Sequence, residues 1–410
     1  MESLFQEKVE CDAGRGILPA QEIKEFIRLG RIRSTLDIGP KQIQPASIDL
    51  RLGPEALRVQ ASFLPGQSST LLTKAQNLLV NRVDLTQPNG ALFEPNIVYI
   101  VPLTEGLALP TDVRGIANPK STTGRLDIFT RLITESGDEF DRVPKGYSGE
   151  LYVEIVSRTF PVRIRRGMAL NQLRFVRGNP APAGDARLRE LAKEDLRVAA
   201  EEEDQGKDAI SRAQAAINRG WPITVDLQGD GSNIVAYKAR KHTRPVELDK
   251  VNHYEVSEFW ETITRPSSGH IILEPGGFYI LASKRRVRVP PDHAAEMVPY
   301  DPAMGEFRVH YAGFFDPGFG YGAEGEIGGT RAVLEVRAYE MPILLEHDQL
   351  VGRLLYYRMA DRPETVYGLK IGSSYQQQGL SLAKQFKREP HAAADGEATK
   401  PVFLQAELAG

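Results

Sequence analysis

The chain of 410 residues is poor in cysteine and has no excess of positive charge. Its single cysteine, Cys11, cannot form an internal disulfide or a zinc site built from several cysteines. This usage favours a reducing compartment, and we expect a cytoplasmic protein. The net charge of -3 is not that of a surface that binds duplex nucleic acid, so we expect no nucleic-acid partner.

The sequence also lacks long apolar runs. No run approaches the roughly 18 residues that a membrane-spanning helix needs. The opening residues MESLFQEKVECDAG have neither the basic start nor the apolar centre of a signal peptide. We therefore expect no membrane partner.

What the sequence does contain is an internal repeat. Residues 93–121 and 273–301 share one pattern at an offset of 180 positions. Seven identities recur without a gap in the same order, and they are Glu94/Glu274, Pro95/Pro275, Tyr99/Tyr279, Ile100/Ile280, Pro110/Pro290, Asp112/Asp292 and Pro119/Pro299. At an offset of 181, Glu154 then falls on Glu335. Two blocks in one order predict a tandem duplication of one domain.

Both copies have a β pattern. Short alternating or β-branched runs such as ELYVEIV and NQLRFV are separated at short intervals by Pro, Gly and Asp, which predicts a barrel or sandwich. One short helix is expected before the first copy, where Ile23, Phe26 and Ile27 are near helical spacing and Gly30 can end the helix.

These patterns predict four segments along the chain. The first repeat spans 15–182, and 183–220 is a connector whose Ala, Glu, Lys and Leu content predicts a helix. The second repeat spans 221–382. The polar and Ala-rich residues 383–410 are expected to form a flexible tail.

The segment NPKSTTGRL of the first copy is suited to phosphate. It combines Lys120 and Arg125 with three hydroxyls and with Gly124, and cations, hydroxyls and free amides all bind phosphate oxygens. The second copy has Asp301 in place of Ser121 and no basic residue here. An ordinary surface turn remains the alternative.

One glutamate stands in the same strand of each copy, Glu154 in the first and Glu335 in the second. Such a carboxylate either faces solvent or is buried, and burial raises its pKa toward the working range of a general base. Its presence in both copies favours a site in the ancestral domain. The residues do not decide which copy retains that site.

The residues resemble the dCTP deaminase branch of the dUTPase-like superfamily over most of 17–380. QPASIDLRLG resembles the first family motif, and KSTTGRL the second, with Lys120 in place of the expected Arg and with Ser121 and Arg125 matching. FDPGFG followed by VLE resembles the third motif, which ends in the catalytic glutamate.

The segment VYGLKIGSSYQQQG, residues 366–379, resembles the family's nucleotide lid. Tyr367 and Gln378 stand at the matching positions, and Ser374 stands where the family has a lysine. Lys370 is close enough in sequence to replace that lysine. A polar linker is the alternative for this segment.

The resemblance implies a mainly β fold of two tandem, distorted β-barrel domains, and homo-oligomers with active sites between domains. The residues implied for one composite site are Ser121, Arg125, Lys120 and Thr122 from the first repeat and Ala312, Asp316, Glu335, Tyr367 and Gln378 from the second.

The implied reaction is hydrolysis of dCTP to dUTP and ammonia, without a catalytic metal and with Mg²⁺ as the counter-ion of the nucleotide. Glu335 would be the base, oriented by Arg125, while Ser121 holds the water. The backbone carbonyl near Ala312 would accept the 4-amino group. The triphosphate would be held by Lys120, Thr122, Tyr367 and Gln378.

Several alternatives remain open at this point. A second site that uses Glu154 is possible on the sequence, because its surroundings PKGYSGELYVE also resemble the third motif. The fold also supports a dUTP pyrophosphatase or a bifunctional enzyme that forms dUMP. A non-catalytic nucleotide-binding regulator is the third alternative, because duplicated copies often lose their chemistry.

Overall fold

The structure is a computed structural model. It describes residues 14–194, 217–229, 231–298, 307–310, 313–338, 340–368, 375–376 and 378–388. Within these residues, no helix is both long and apolar enough to cross a membrane.

Short strands dominate both halves of the chain. The strands of the first domain are β1 (Gly16–Ile17), β2 (Ile32–Ser34), β3 (Ile43–Gln44), β4 (Ser47–Arg51), β5 (Glu55–Val59), β6 (Leu79–Asp84), β7 (Ala91–Phe93), β8 (Val98–Ala108), β9 (Val113–Pro119), β10 (Ile128–Thr134), β11 (Arg142–Val143), β12 (Ser148–Ser157), β13 (Val162–Ile164) and β14 (Ala169–Arg177).

The strands of the second domain are β15 (Trp221–Thr224), β16 (Ile234–Ala239), β17 (Val246–Glu247), β18 (Trp260–Thr264), β19 (His270–Leu273), β20 (Phe278–Val287), β21 (His293–Val298), β22 (Phe307–His310), β23 (Phe314–Phe315), β24 (Thr330–Ala338), β25 (Ile343–Glu346) and β26 (Leu350–Arg358). The described helices are α1 (Ala20–Arg28), α2 (Leu71–Asn77), α3 (Ser121–Gly124), α4 (Asp185–Glu194) and α5 (Val256–Phe259), with a 3₁₀ turn at Pro40–Gln42.

The two halves repeat one sheet. Its strand order is β10-β12-β8-β5-β6 in the first domain and β22-β24-β20-β16-β18 in the second. Glu154 of β12 lies opposite Ile100 of β8, and Glu335 of β24 lies opposite Ile280 of β20. The two glutamates are therefore equivalent in register as well as in sequence, and the predicted mainly β tandem fold is confirmed.

The predicted first helix is also present. In α1 the buried residues Ile23 and Phe26 face the core of the first domain. Gly30 has a φ of 68°, a left-handed conformation that suits glycine and allows the chain to leave the helix.

One shared sheet and one aromatic cluster join the two domains. β17 of the second domain pairs in parallel with β13 of the first, with Val246 opposite Val162. Beside this pair, the fully buried Phe160 has its ring centroid 5.9 Å from that of Phe259 and 5.4 Å from that of Trp260. Edge-to-face contacts of this kind add to the burial of apolar area and fix the relative position of the domains.

The segments outside the two sheets agree only partly with the sequence expectation. The connector contains α4, whose Leu188 and Leu191 pack into the core of the second domain, and residues 195–216 lie outside the described part.

The start of the flexible tail was predicted at residue 383, which is too early in the chain. Ala383 and Phe386 are buried, because the Phe386 ring joins the cluster of Phe160 and Trp260.

Candidate active site

The first-domain part of the site follows β9. Directly after that strand the chain makes the single turn α3, and Arg125 caps its end. Ser121 is exposed and Thr122 is partly exposed, whereas Thr123 is buried. The first two hydroxyl side chains of the turn are therefore at least partly exposed, whereas the third is not.

Lys120 forms an ion pair with Asp49 of β4. Asp49 is buried, and its Oδ1 atom has no hydrogen-bond partner within the described structure. Burial raises the pKa of Asp49, and the ammonium of Lys120 opposes that rise. Sequence reasoning did not place Asp49 in the site, although it lies within the first family motif.

Arg125 connects the two domains. Its guanidinium is buried, and its Nε atom lies 3.9 Å from Oε1 of Glu335. The guanidinium stacks 3.7 Å from the ring centroid of Tyr375, and its Nη1 donates a hydrogen bond of 3.1 Å to the carbonyl of Ser381. The second domain and the C-terminal segment thus fix the orientation of this cation.

Glu335 is buried on β24 with 6% of its surface exposed. Burial raises the pKa of Glu335 to about 8, and the positive charge of Arg125 opposes the rise. A carboxyl group with this pKa can both accept and release a proton near neutral pH. The predicted pair of Arg125 and Glu335 is thus brought together across the domain boundary.

A second ion pair crosses the domain boundary. Its residues lie two positions after Arg125 in the first domain and two positions after Glu335 in the second. Arg337 forms an ion pair with Asp127, and its Nη2 donates a hydrogen bond of 2.9 Å to Oγ1 of Thr159. Arg337 and Asp127 are both buried. This pair ties β24 to the first domain and so holds Glu335 against Arg125.

Asp316 lies just after β23, where it accepts a hydrogen bond of 3.0 Å from Nη2 of Arg174 in the first domain. Arg174 is itself buried and lies 3.9 Å from the ring centroid of Phe314. Burial raises the pKa of Asp316, and the charge of Arg174 opposes that rise. No motif in the sequence pointed to Arg174.

The described part of the lid covers the first-domain turn. The hydroxyl of Tyr375 lies 2.7 Å from Oγ1 of Thr122. The side chain of Gln376 fixes the lid to the second domain, since its Oε1 accepts from the amide of Gly320 at 2.9 Å and its Nε2 donates to the carbonyl of Gly318 at 3.0 Å.

The hydrogen bonds described for the two predicted lid residues, Tyr367 and Gln378, go to the second domain. The amide of Tyr367 donates a hydrogen bond of 2.7 Å to the carbonyl of Pro317, and burial raises the pKa of its phenol while the charge of Arg125 opposes the rise. Nε2 of Gln378 donates to the carbonyl of Arg331 at 3.4 Å. Tyr375, rather than Gln378, therefore makes the described contact with Thr122.

The predicted contact at Ala312 lies outside the described residues, as do Lys370 and Ser374. Among the described side chains, no three His, Cys, Asp or Glu residues cluster as metal ligands would.

Glu154, the alternative base, has different surroundings. Its carboxylate is fully buried and accepts hydrogen bonds of 2.7 and 3.1 Å from Arg131 of the same domain. The guanidinium of Arg131 lies 3.7 Å from the ring centroid of Phe140. Glu154 is thus already neutralised by a cation within its own sheet.

Comparison with known proteins identifies the family. A model of the 2'-deoxycytidine 5'-triphosphate deaminase N-terminal domain matches residues 14–179, and the model of the C-terminal domain of that protein matches residues 193–386. A solved 2'-deoxycytidine 5'-triphosphate deaminase from Agrobacterium tumefaciens is 45% identical, with a TM-score of 0.76, over 84% of this chain and 99% of that one. The chain therefore belongs to the dCTP deaminase family, and the expected two-domain, dUTPase-like fold is confirmed.

Curated relatives match about one domain of this chain. The dCTP deaminase of Ignicoccus hospitalis is 25% identical over 162 residues, which are 39% of this chain and 83% of the relative. The protein of Methanobrevibacter smithii, named dCTP deaminase, dUMP-forming, is 31% identical over 162 residues, which are 38% of this chain and 76% of the relative. These relatives are about half as long as this chain.

Proposed function

We propose that this chain binds dCTP between its two domains and hydrolyses the C4 amino group to yield dUTP and ammonia. Family membership supports the substrate. The placement of Glu335 beside Arg125 carries the proposal, because it joins a buried carboxyl with a raised pKa to an orienting cation at the domain boundary.

In the proposed mechanism Glu335 takes a proton from water as the water oxygen forms a bond to C4. The proton then passes to N3, which completes the addition of water across the C4–N3 double bond. Glu335 next transfers the proton of the new 4-hydroxyl to the amino group, so that the C4–N bond breaks, the C4 carbonyl forms and ammonia leaves. One carboxyl group can serve as base and then as acid when its pKa lies near the working pH. Arg125 orients the carboxylate, and Ser121 holds the water.

The remaining contacts distinguish and hold the nucleotide. The backbone carbonyl near Ala312 accepts from the 4-amino group, and Asp316 contacts the substrate beside Arg174. Lys120, Thr122, Tyr367 and Gln378 hold the triphosphate, with Gln378 exchanging its bond to the Arg331 carbonyl for phosphate. Mg²⁺ enters as part of the nucleotide substrate, since it commonly binds nucleotides through their phosphates.

Substitution of the base tests this proposal. Glu335→Gln is expected to lower kcat by roughly 100- to 10,000-fold, the usual contribution of acid–base catalysis, while dCTP still binds. Glu154→Gln is the matched control, since it changes the equivalent residue of the other domain. Normal turnover by Glu335→Gln together with loss of turnover in Glu154→Gln would assign the base to Glu154 instead.

A second candidate is a bifunctional reaction that continues to dUMP. Some relatives are named dCTP deaminase, dUMP-forming. One of them is the protein of Dictyoglomus thermophilum, which is 26% identical over 165 residues. These names favour the bifunctional reaction as the second candidate. Quantifying ammonia, dUTP, dUMP and pyrophosphate from dCTP, and from dUTP in parallel, separates the candidates. Ammonia without pyrophosphate supports the deaminase, and pyrophosphate from dUTP supports a pyrophosphatase. Tight dCTP binding without any product supports a regulator.

A further inference from the structure

Arg337 is fixed from both sides of the domain boundary. In its own domain, its Nη1 atom donates a hydrogen bond of 2.7 Å to the carbonyl of Gly276. In the first domain, its Nη2 atom donates to the carboxylate of Asp127 and, at 2.9 Å, to Oγ1 of Thr159. Arg337 and Asp127 are both buried, so the loss of either would leave the other without a counter-charge. These contacts fix where β24 lies against the first domain.

Asp127 is held equally closely in the loop after Arg125. Its Oδ2 atom accepts a hydrogen bond of 2.6 Å from the hydroxyl of Thr159. Its amide donates one of 2.9 Å to the carbonyl of Gly124, and its carbonyl accepts one of 2.9 Å from the amide of Arg158. These bonds hold Asp127 at a φ of 56°, a left-handed conformation that residues other than glycine seldom adopt. The position of Asp127 relative to Arg125 is therefore well defined.

The two ion pairs across the boundary have opposite orders of charge. The first domain contributes a cation and then an anion, and the second domain contributes the reverse; the residues are Arg125 and Asp127, then Glu335 and Arg337. A shift of β24 by two residues in either direction would bring two cations or two anions together. Like charges that meet in a buried place are strongly unfavourable. The order of charge therefore selects the register in which Arg125 faces Glu335.

The first domain shows that the repeated sheet does not itself require this cation. At the offset of 181 that aligns Glu154 with Glu335, Arg337 falls on Val156. Val156 is buried in β12, so the equivalent strand folds with an apolar side chain at this position. Glu154 is paired with Arg131 of its own domain. Arg337 therefore accompanies the copy whose glutamate faces the other domain.

We propose that Arg337 and Asp127 are positioning residues for the deamination and act through Glu335 and Arg125. This inference rests on the proposed function and deepens it, because it adds the groups that set the geometry of the proposed base. Glu335 must meet the attacking water at hydrogen-bonding distance. A misplacement of about 1 Å can lower a rate by about 100-fold, even when the substituted residue lies away from the chemistry. Substrate contacts made by other residues stay in place, so kcat falls while KM is kept.

Steady-state kinetics with dCTP test the proposal in Arg337→Met, in Asp127→Asn and in the double variant. We expect kcat to fall by about 10- to 100-fold in each, with KM changed by less than about threefold. Arg337→Lys, which keeps the cation, should recover part of kcat. The double variant removes both charges together, so it avoids the unpaired buried charge of each single variant and is expected to fold. A low kcat in the folded double variant separates positioning from stability.

The matched control is Arg165→Met, which removes another ion pair between the domains, formed with Asp249 at 2.6 Å. Its kcat is expected to stay near that of the wild type. An equal loss in this control would assign the effect to a loosened domain boundary and would overturn the inference. A normal kcat in the double variant would overturn it as well, and so would a raised KM at normal kcat, which indicates a role in substrate binding.

A crystal structure of the double variant measures the positioning without any turnover. If the wild type releases no ammonia from dCTP, the proposed function fails. The distance between Nε of Arg125 and Oε1 of Glu335, which is 3.9 Å in the intact protein, still decides the role of the second pair. We expect this distance to lengthen in the double variant, and an unchanged distance would contradict the positioning role.

Discussion

Glu335 and Glu154 show how the surroundings of one residue type determine its chemistry. Both occupy the same register in repeated sheets. Glu335 has a cation at 3.9 Å and a pKa raised by burial, whereas Glu154 accepts two short hydrogen bonds from Arg131. Glu154 is thus paired with a cation of its own domain, whereas the cation beside Glu335 comes from the other domain.

The pKa of Glu335 predicts the pH dependence of the reaction. The base must be ionised to accept a proton, and the pKa of Glu335 is raised to about 8. We expect kcat/KM for dCTP to rise about tenfold per pH unit below that value and to level off above it. Steady-state assays from pH 5.5 to 9.5 measure this, and a flat profile across pH 6 to 8 would contradict the assignment.

At the scale of elements, the ring of Tyr375 connects the lid with the first-domain turn. Tyr375 stacks on Arg125 and contacts the hydroxyl of Thr122. Because cation–π contacts contribute about 0.5 to 2 kcal/mol, Tyr375→Ala is expected to lower kcat/KM by roughly 2- to 30-fold. Tyr375→Phe keeps the stack and should lose less. Equal losses in both variants would assign the effect to the hydroxyl instead of the ring.

The buried pair of Arg174 and Asp316 links β14 to the turn after β23. Removing one partner leaves a buried charge unpaired, so Arg174→Met is expected to lower the free energy of unfolding by about 3 to 5 kcal/mol. The double variant Arg174→Met/Asp316→Asn should regain part of this stability. Chemical denaturation of the wild type, both single variants and the double variant measures the coupling, and simple additivity would show that the pair is not coupled.

The repeated sheets were predictable because their signals are local. Alternating strands and the Pro and Gly residues between them can be read within short windows, and the two glutamates align as soon as the two copies are compared. The motifs of the resemblance led to Arg125 and Glu335 in the same way. Arg174 and Phe386 could not be found like this, since their partners lie more than a hundred residues away and only the assembled domains bring them together.

At the scale of the whole molecule, both halves of the candidate site belong to one chain. Ser121 and Arg125 come from the first domain and Glu335 from the second, and the sheet of β13 and β17 holds the domains in contact. The homo-oligomer implied by the resemblance stays a prediction. The pair of Arg125 and Glu335 is formed within one chain.

This arrangement predicts the result of mixing two inactive variants. Ser121→Ala and Glu335→Gln each damage the same intrachain site, so a mixture refolded together should remain as inactive as its components. Activity assays of the mixture, with sedimentation to follow subunit exchange, measure this. Recovered activity would show that the first domain of one chain works with the second domain of another.

The joining of both domains in one chain also has a consequence for inheritance. When active sites are shared between separate subunits, a defective subunit inactivates sites that its normal neighbours help to form. Here β13 and β17 bring the two halves of the site together within a single product of translation. We expect a defective copy to inactivate only itself, so that its phenotype in a cell that also makes the intact protein is recessive.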